Sequence, residues 1–169
     1  EEMERTLRQE AIDEGNENGY NAIKKAYCHR QDIECKIITE DGYSYPVYPV
    51  PAETMVSILI PSKDNPEVLR KCISSIYEKS TYKKFEIVVV DNGSNEENKA
   101  IIKKMKEECP FTYLYQPMDF NYSKMNNIAS KEAKGEVLLR LNDDMEVVTP
   151  DWLERMAGQL MQQGIGAVG

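Results

Sequence analysis

The sequence predicts an α/β protein with a mostly parallel, doubly wound sheet. Short apolar runs rich in β-branched residues recur from residue 56 onward, and segments with apolar residues at helical spacing separate them. Regular strand-to-helix crossovers of this kind favour parallel pairing. Two of the runs end in acidic loops, and ligands of an open α/β sheet bind at the carboxyl ends of its strands.

The composition limits the classes of function. The chain has 169 residues, enough for one domain with a short appendage, and a formal net charge of -8. A nucleic-acid surface would need a basic stripe, so nucleic acid is not an expected partner. No apolar run approaches the ~18 residues of a membrane span, and the first residues do not resemble a signal or transit peptide. We expect a cytoplasmic protein, or the cytoplasmic part of one at the inner face of the membrane.

Residues 1–52 differ from the rest and are predicted to form a small α+β appendage or linker. Gly and Asn residues mark its breaks, alternating apolar residues mark a β-hairpin, and three prolines then stop regular structure. The predicted elements are helix Glu2–Asp13, a breaker at Gly15–Gly19, helix Tyr20–His29, a strand around Ile33–Ile37, a turn at Asp41-Gly42, a returning strand at Tyr43–Tyr45, and the prolines Pro46, Pro49 and Pro51.

Residues 53–169 are predicted to alternate strands and helices. The predicted strands are Val56–Ile60, Phe85–Val90, Phe111–Tyr115, Val137–Leu141 and Ile165–Val168. The predicted helices are Pro66–Tyr77, Glu96–Glu108, Ser123–Lys134 and Thr149–Met161. Asp64 or Asn65 is expected to cap the first of these helices, with Cys72 on its apolar face. Gly135 is expected to end the third in the left-handed conformation.

The first acidic loop is Asp91-Asn92-Gly93-Ser94, which follows a near-continuous apolar strand. The Asp91 carboxylate can accept a hydrogen bond from a base edge or a ribose hydroxyl, while Gly93 lets the backbone approach a ligand. The alternative is a turn that only caps the next helix.

The second acidic loop is Asn142-Asp143-Asp144. Adjacent carboxylates in a strand-end loop repel unless a cation lies between them, and Mg²⁺ takes one or two carboxylates together with water and phosphate oxygens. This loop predicts a divalent metal site. The alternative is a solvated turn.

Two further stretches are candidates for ligand binding. Pro61–Asn65 follows the first strand and either surrounds a base or caps the next helix. Phe120–Asn127 spans a helix start, where backbone N–H groups attract anions. Within it, Phe120 and Tyr122 are expected to lie in the core more often than to contact a ligand.

Together these segments resemble the family 2 glycosyltransferases of the GT-A fold, in particular the bacterial rhamnosyltransferase-like enzymes that build surface polysaccharides. The resemblance covers residues 56–169 through VSILIPSKDN, FEIVVVDNGS, FNYSKMNNIA, GEVLLRLNDDMEV and TPDWLERM with GIGAVG. It implies the nucleotide-binding, N-terminal half of a GT-A domain. It also implies transfer of a sugar, with inversion at the reacting carbon, from a nucleoside diphosphate sugar to a saccharide acceptor with Mg²⁺ or Mn²⁺.

The resemblance also implies roles for individual residues. Asp144 would ligate the metal, and Asp143 would support it and the sugar or ribose. Asn142 replaces the first Asp of the D-x-D motif, and Asn126 stands where many relatives have an arginine for the diphosphate. The residues that would bind the nucleotide or the donor sugar are Pro61, Ser62, Asp64, Asp91, Gly93, Ser94, Lys124, Asn127 and Asp143.

One part of the family pattern lies outside this sequence. The general base that deprotonates the acceptor follows the D-x-D loop at a distance, so it is expected beyond Gly169, and no catalytic residue is assigned here. Two other functions stay open. A sugar-nucleotide pyrophosphorylase would want a glycine-rich basic loop after the first strand. A non-catalytic nucleotide-binding or regulatory module, such as a receiver-like domain, would want an acidic cluster there.

Overall fold

A computed structural model of the protein describes residues 17–40 and 43–169. These residues fall into two compact units, one comprising those up to Val50 together with Glu154–Gly169, the other Pro51–Leu153. The elements are α1 (Glu17–Arg30), β1 (Lys36–Glu40), β2 (Tyr43–Val47), β3 (Val56–Ser62), α2 (Pro66–Lys79), β4 (Phe85–Asp91), α3 (Glu96–Met105), β5 (Thr112–Tyr115), α4 (Tyr122–Glu132), β6 (Val137–Arg140) and α5 (Trp152–Leu160).

The first unit combines helix α1 with the hairpin of β1 and β2. The two strands pair antiparallel from Lys36 opposite Val47 to Glu40 opposite Tyr43. In the same unit, the Arg155 guanidinium forms two hydrogen bonds to the Glu40 carboxylate, of 2.8 and 2.6 Å. This bidentate pair fixes the hairpin to Arg155 of α5.

The Glu40–Arg155 pair predicts a loss of stability at low pH. Hydrogen bonds from Arg155 and Tyr45 lower the pKa of Glu40 from 4.5 to about 2. A carboxyl whose folded-state pKa is depressed stabilises the fold above its unfolded pKa, and this stabilisation is lost as the pH falls from about 4.5 to about 2. We expect Glu40→Gln to reduce the change in melting temperature across that interval. Glu34→Gln, which removes a carboxylate outside the pair, is the control, and an equal reduction by both variants would contradict the assignment.

The second unit is built on a parallel four-stranded sheet of order β5-β4-β3-β6. Every residue of β3 is buried, as are the last five of β4. Central parallel strands are covered on both faces, which is why the middle of each, Ile58–Ile60 and Ile87–Val90, is apolar. The predicted α/β fold with a parallel sheet is confirmed, and the four strands lie within two residues of the predicted bounds.

Helix α4 packs on one face of the sheet. Met125 and Ala129 of this helix form a buried cluster with Leu59, Val88 and Val90 of the central strands. Helix α2 begins at Pro66 after Asn65, which occupies the cap position without a side-chain hydrogen bond. Cys72 is buried in α2, as its place on the apolar face predicts.

Three sequence predictions of secondary structure are wrong. Ile165–Val168 is not a strand: residues 163–169 are exposed and pair with no strand in the described part of the chain. An apolar run needs a partner strand to satisfy its backbone, and here none is supplied. Helix α1 begins at Glu17, so residues 17–19 of the predicted breaker are helical, and β2 continues past Pro46 to Val47. The helix predicted at Glu2–Asp13 and the turn at Asp41-Gly42 lie outside the described residues.

Gly135 is needed for a different reason from the predicted one. Helix α4 ends at Glu132, its C-cap residue Ala133 is extended, and Gly135 is not among the described residues with positive φ. An added Cβ would overlap the Met55 carbonyl oxygen and lie 2.8 Å from Ser57 Oγ. A close approach of the chain to β3 therefore requires glycine here.

Candidate active site

Three loops of the second unit lie at one edge of its sheet. Strands β3, β4 and β6 run parallel and end at Ser62, Asp91 and Arg140, so the segments that follow them emerge on the same side. The sequence predicted this gathering of the two acidic loops, because the carboxyl ends of parallel strands share an edge. Hydrogen bonds between the loops then fix the individual side chains.

Ser62 joins the ends of β3 and β6. Its Oγ donates a 2.6 Å hydrogen bond to Oδ2 of Asp143, and its carbonyl accepts one of 2.9 Å from the Asn92 N–H. Ser62 is buried, Asp143 is half-buried and Asp144 is exposed. One carboxylate of the pair is thus oriented by the fold, and the other faces solvent.

The negative charges of Asp143 and Asp144 affect the buried thiol of Cys72. Burial and the charges of Asp143 and Asp144 raise the pKa of the Cys72 thiol to about 12, and this thiol donates a long 3.7 Å hydrogen bond to the Asn142 carbonyl. Among the described residues, no group of three or more His, Cys, Asp or Glu side chains is arranged to hold a metal. Two carboxylates suit Mg²⁺ or Mn²⁺, which complete their coordination with water and phosphate oxygens.

Asp91 is held by two donors and has no exposed surface. The Ser94 N–H donates to its Oδ1 at 2.8 Å, and the Tyr113 hydroxyl donates to its Oδ2. Gly93 has a φ of 89°, and an added Cβ would lie 3.3 Å from the Pro117 Cα, so the turn itself requires glycine. Contact of Asp91 or Gly93 with a ligand stays a prediction.

Asp64 connects the loop after β3 to the start of α3. Its backbone has a φ of 53°, its N–H donates to Ser94 Oγ at 2.8 Å, and its Oδ1 accepts from the Asn95 N–H at 2.9 Å. The Asn98 side-chain amide donates to the same oxygen at 3.0 Å. The bonds from Asn95 and Asn98 lower the pKa of the Asp64 carboxyl. In this position the Asp64 carboxylate bonds to Asn95, the N-cap residue of α3, and does not cap α2.

The start of α4 differs from the expectation. Phe120 is 76% exposed and Tyr122 is 39% exposed, so the interpretation of both as core residues is wrong. The buried face of α4 is formed by Met125, Asn126 and Ala129, which leaves no place in the core for the two rings. Aromatic side chains beside this edge are accessible to a ligand.

The polar residues of α4 are divided between its exposed and its buried face. Lys124 and Asn127 are exposed, and the Asn121 side chain caps the helix by accepting from the Lys124 N–H at 2.9 Å. Asn126 is buried, and its amide nitrogen donates to the Tyr122 carbonyl at 2.9 Å. Asn126 therefore does not extend into solvent as an arginine at this position would.

Two site residues were missed by the sequence reasoning. Tyr113 and Asn98 contact Asp91 and Asp64 across separations of 22 and 34 residues. Neither lies in a motif: Tyr113 is one of several aromatic residues in a short strand, and Asn98 is an ordinary polar residue of a helix. Only the fold brings them to the site.

The described part of the chain contains no helix that combines the length and apolar composition needed to cross a membrane. Residues 57–169 match the family described as Glycosyl transferase family 2. The O-antigen biosynthesis protein RfbC of Myxococcus xanthus is 34% identical over 159 residues, which are 94% of this chain and 12% of that protein. An N-acetylglucosaminyltransferase of Sinorhizobium fredii is 25% identical over 88% of this chain and 36% of its own length.

Among solved structures, a mannosyltransferase of Pyrobaculum calidifontis in complex with GDP-Man and Mn²⁺ covers 95% of this chain with a TM-score of 0.61 and 18% identity. The likeness is one of fold, which is the GT-A fold predicted from the sequence. The alignment covers 44% of that structure, so the present chain spans less than half the length of each of these three proteins.

Proposed function

This chain belongs to glycosyl transferase family 2, and from that premise we propose that it is the donor-binding part of an enzyme of bacterial surface polysaccharide synthesis. The enzyme transfers a sugar from a nucleoside diphosphate sugar to a saccharide acceptor. The observation that carries the proposal is the meeting of the acidic loops after β4 and β6 at one sheet edge, with Ser62 bonded to Asp143 between them.

In this proposal Asp144 is the principal metal ligand and Asp143 supports it. Asp144 is exposed and able to move toward an ion, whereas the bond from Ser62 holds Asp143 in one orientation. A bound Mg²⁺ or Mn²⁺ would stabilise negative charge on the leaving diphosphate. The mannosyltransferase with the same fold binds Mn²⁺ together with GDP-Man.

The nucleoside is proposed to lie over the loops after β3 and β4. Asp91, Gly93 and Ser94 form one wall, and Pro61, Ser62 and Asp64 form the other. Asp64 acts in this arrangement by holding the two loops together through Ser94 and Asn95. Such bonds between loops reduce the entropy lost when a ligand orders its site.

The diphosphate is proposed to face the start of α4. Backbone N–H groups at a helix start favour anions, and Lys124 adds a positive charge there. Asn127 is exposed one turn later and is proposed to contact the donor sugar. Because Asn126 is buried and bonded to the helix backbone, Lys124 takes the part that arginine has in many relatives.

The general base and the acceptor site are proposed to lie in sequence that follows Gly169. The base must approach the attacking hydroxyl to within ~3 Å, and the related proteins are much longer than this chain. Sugar transfer by residues 1–169 alone would contradict this assignment. The family match does not favour the alternatives of a pyrophosphorylase or a regulatory module.

The proposal is tested by calorimetric titration of the chain with UDP, GDP and dTDP, each with and without Mn²⁺. We expect binding of at least one diphosphate that strengthens when the metal is present, because the carboxylates and the diphosphate repel each other without it. Metal-independent binding, or no binding of any diphosphate, would contradict the proposal.

A further inference from the structure

Asp91 is proposed to contact the nucleoside, yet its carboxylate is completely buried. Each oxygen accepts one hydrogen bond, Oδ1 from the Ser94 N–H at 2.8 Å and Oδ2 from the Tyr113 hydroxyl. Because the carboxylate has no exposed surface, a ligand that presents an N–H or O–H donor reaches it only if a neighbouring group moves.

The two donors differ in mobility. The Ser94 N–H belongs to the backbone of a turn that the positive φ of Gly93 defines, and Ser94 Oγ accepts from the Asp64 N–H at 2.8 Å. Tyr113 is a half-buried side chain on β5, the outer strand next to β4 in the described sheet. Rotation of the Tyr113 side chain breaks no backbone hydrogen bond, whereas displacement of Ser94 disrupts the turn.

The Tyr113 hydroxyl also stays protonated, so it remains a hydrogen-bond donor to Asp91. Its burial and its bond to Asp91 hold the pKa of Tyr113 well above the usual range, so the hydroxyl keeps its proton. Hydrogen bonds to a charged acceptor are stronger than neutral ones, and a buried carboxylate that loses one must obtain another donor. The loss of Tyr113 from Asp91 therefore has to be matched by a donor from the ligand.

We propose that Tyr113 is a gating residue of the nucleoside site. Its hydroxyl occupies, in the free protein, the acceptor position on Asp91 that an N–H of the base or a ribose hydroxyl takes in the complex. Ligand binding exchanges one donor for another, and the Tyr113 ring swings away from Asp91. This inference rests on the proposed nucleotide-binding function and adds to it a residue that opposes binding until it is displaced.

The test compares the affinities of UDP and GDP in the presence of Mn²⁺ for the parent chain and for Tyr113→Phe. Phenylalanine keeps the ring and removes the competing donor, so we expect binding at least about tenfold tighter, the low end of the value of one hydrogen bond to a charged group. When Asp91 is already replaced by Asn, Tyr113→Phe should change the affinity for the diphosphate less than about twofold. Both substitutions act on the one hydrogen bond between Tyr113 and Asp91, so their effects should not add.

Tyr77→Phe is the matched control. The Tyr77 hydroxyl donates a 2.5 Å hydrogen bond to the Pro110 carbonyl in the same unit, so Tyr77→Phe also removes a bonded tyrosine hydroxyl but does not touch Asp91. The affinity of Tyr77→Phe for UDP and GDP should equal that of the parent chain.

A second measurement needs no variant. The Tyr113 hydroxyl proton, bonded to a buried carboxylate, should give a slowly exchanging NMR signal in the free protein, and saturation with the diphosphate should remove it. The gate is overturned if Tyr113→Phe binds the diphosphate no more tightly than the parent chain, or if the hydroxyl signal persists in the saturated complex. In either case, metal-dependent binding by the parent chain leaves the proposed function intact. If no variant binds a diphosphate, the proposed function fails and the gate fails with it.

Discussion

Asp144→Ala is expected to abolish the effect of Mn²⁺ on nucleoside diphosphate binding. The Asp144 carboxylate is exposed, whereas Asp143 is half-buried and its Oδ2 accepts from Ser62, so Asp144 is the carboxylate more open to a metal. Loss of a group that only orients a metal ligand costs about 10- to 100-fold in metal affinity, so loss of the ligand itself should cost at least ~100-fold. The variant should bind the diphosphate equally weakly with and without Mn²⁺.

Glu146→Ala separates ligation from the general effect of negative charge. Glu146 lies two residues further along the same segment and is occupied by a 2.6 Å ion pair with Lys79. The Glu146→Ala variant should keep the Mn²⁺ dependence of diphosphate binding, whereas Asp144→Ala should lose it. Calorimetry measures diphosphate binding, and the electron paramagnetic resonance signal of free Mn²⁺ measures metal binding. Equal losses in the two variants would mean that charge alone draws the ion, and retained dependence in Asp144→Ala would remove Asp144 from the site.

Much of the main sheet is predictable because its determinants are local. The mostly apolar run at Phe85–Val90 indicates a strand that is covered on both faces. Pro66, which follows Asp64-Asn65, marks the start of a helix. The rule that ligands bind at the carboxyl ends of parallel strands then brings Asp91 and Asp143 to one edge. The candidate site thus follows from the order of the elements.

The contacts within the site are not predictable in this way. The bond from Ser62 to Asp143 joins residues 81 positions apart, and no sequence pattern specifies it. Phe120 and Tyr122 look like core residues by composition, but the buried face of α4 is already filled by Met125 and Ala129. Hydrophobicity of a side chain does not decide its burial when the helix has one inward face.

Gly135 shows the same limit at a single backbone position. A glycine just after a helix is commonly a left-handed cap, and the sequence supports that interpretation. The structure gives it a different role, because the Gly135 N–H donates to Ser57 Oγ at 2.8 Å and the Val137 N–H donates to the Met55 carbonyl at 3.3 Å. The chain enters β6 so close to β3 that no side chain fits between them.

Gly135→Ala is therefore expected to lower the free energy of unfolding by about 3 kcal/mol, at the upper end of the usual cost of overpacking. The added methyl would overlap the Met55 carbonyl and lie 2.9 Å from its carbon, so the first contacts between β3 and β6 must open. Urea denaturation measures the loss. Gly166→Ala, which has open space around it, should stay within about 0.5 kcal/mol of the parent. Gly135→Asn distinguishes the two explanations: asparagine tolerates the left-handed conformation, so a near-native stability would support the cap, whereas a loss at least as large as that of alanine supports the close approach.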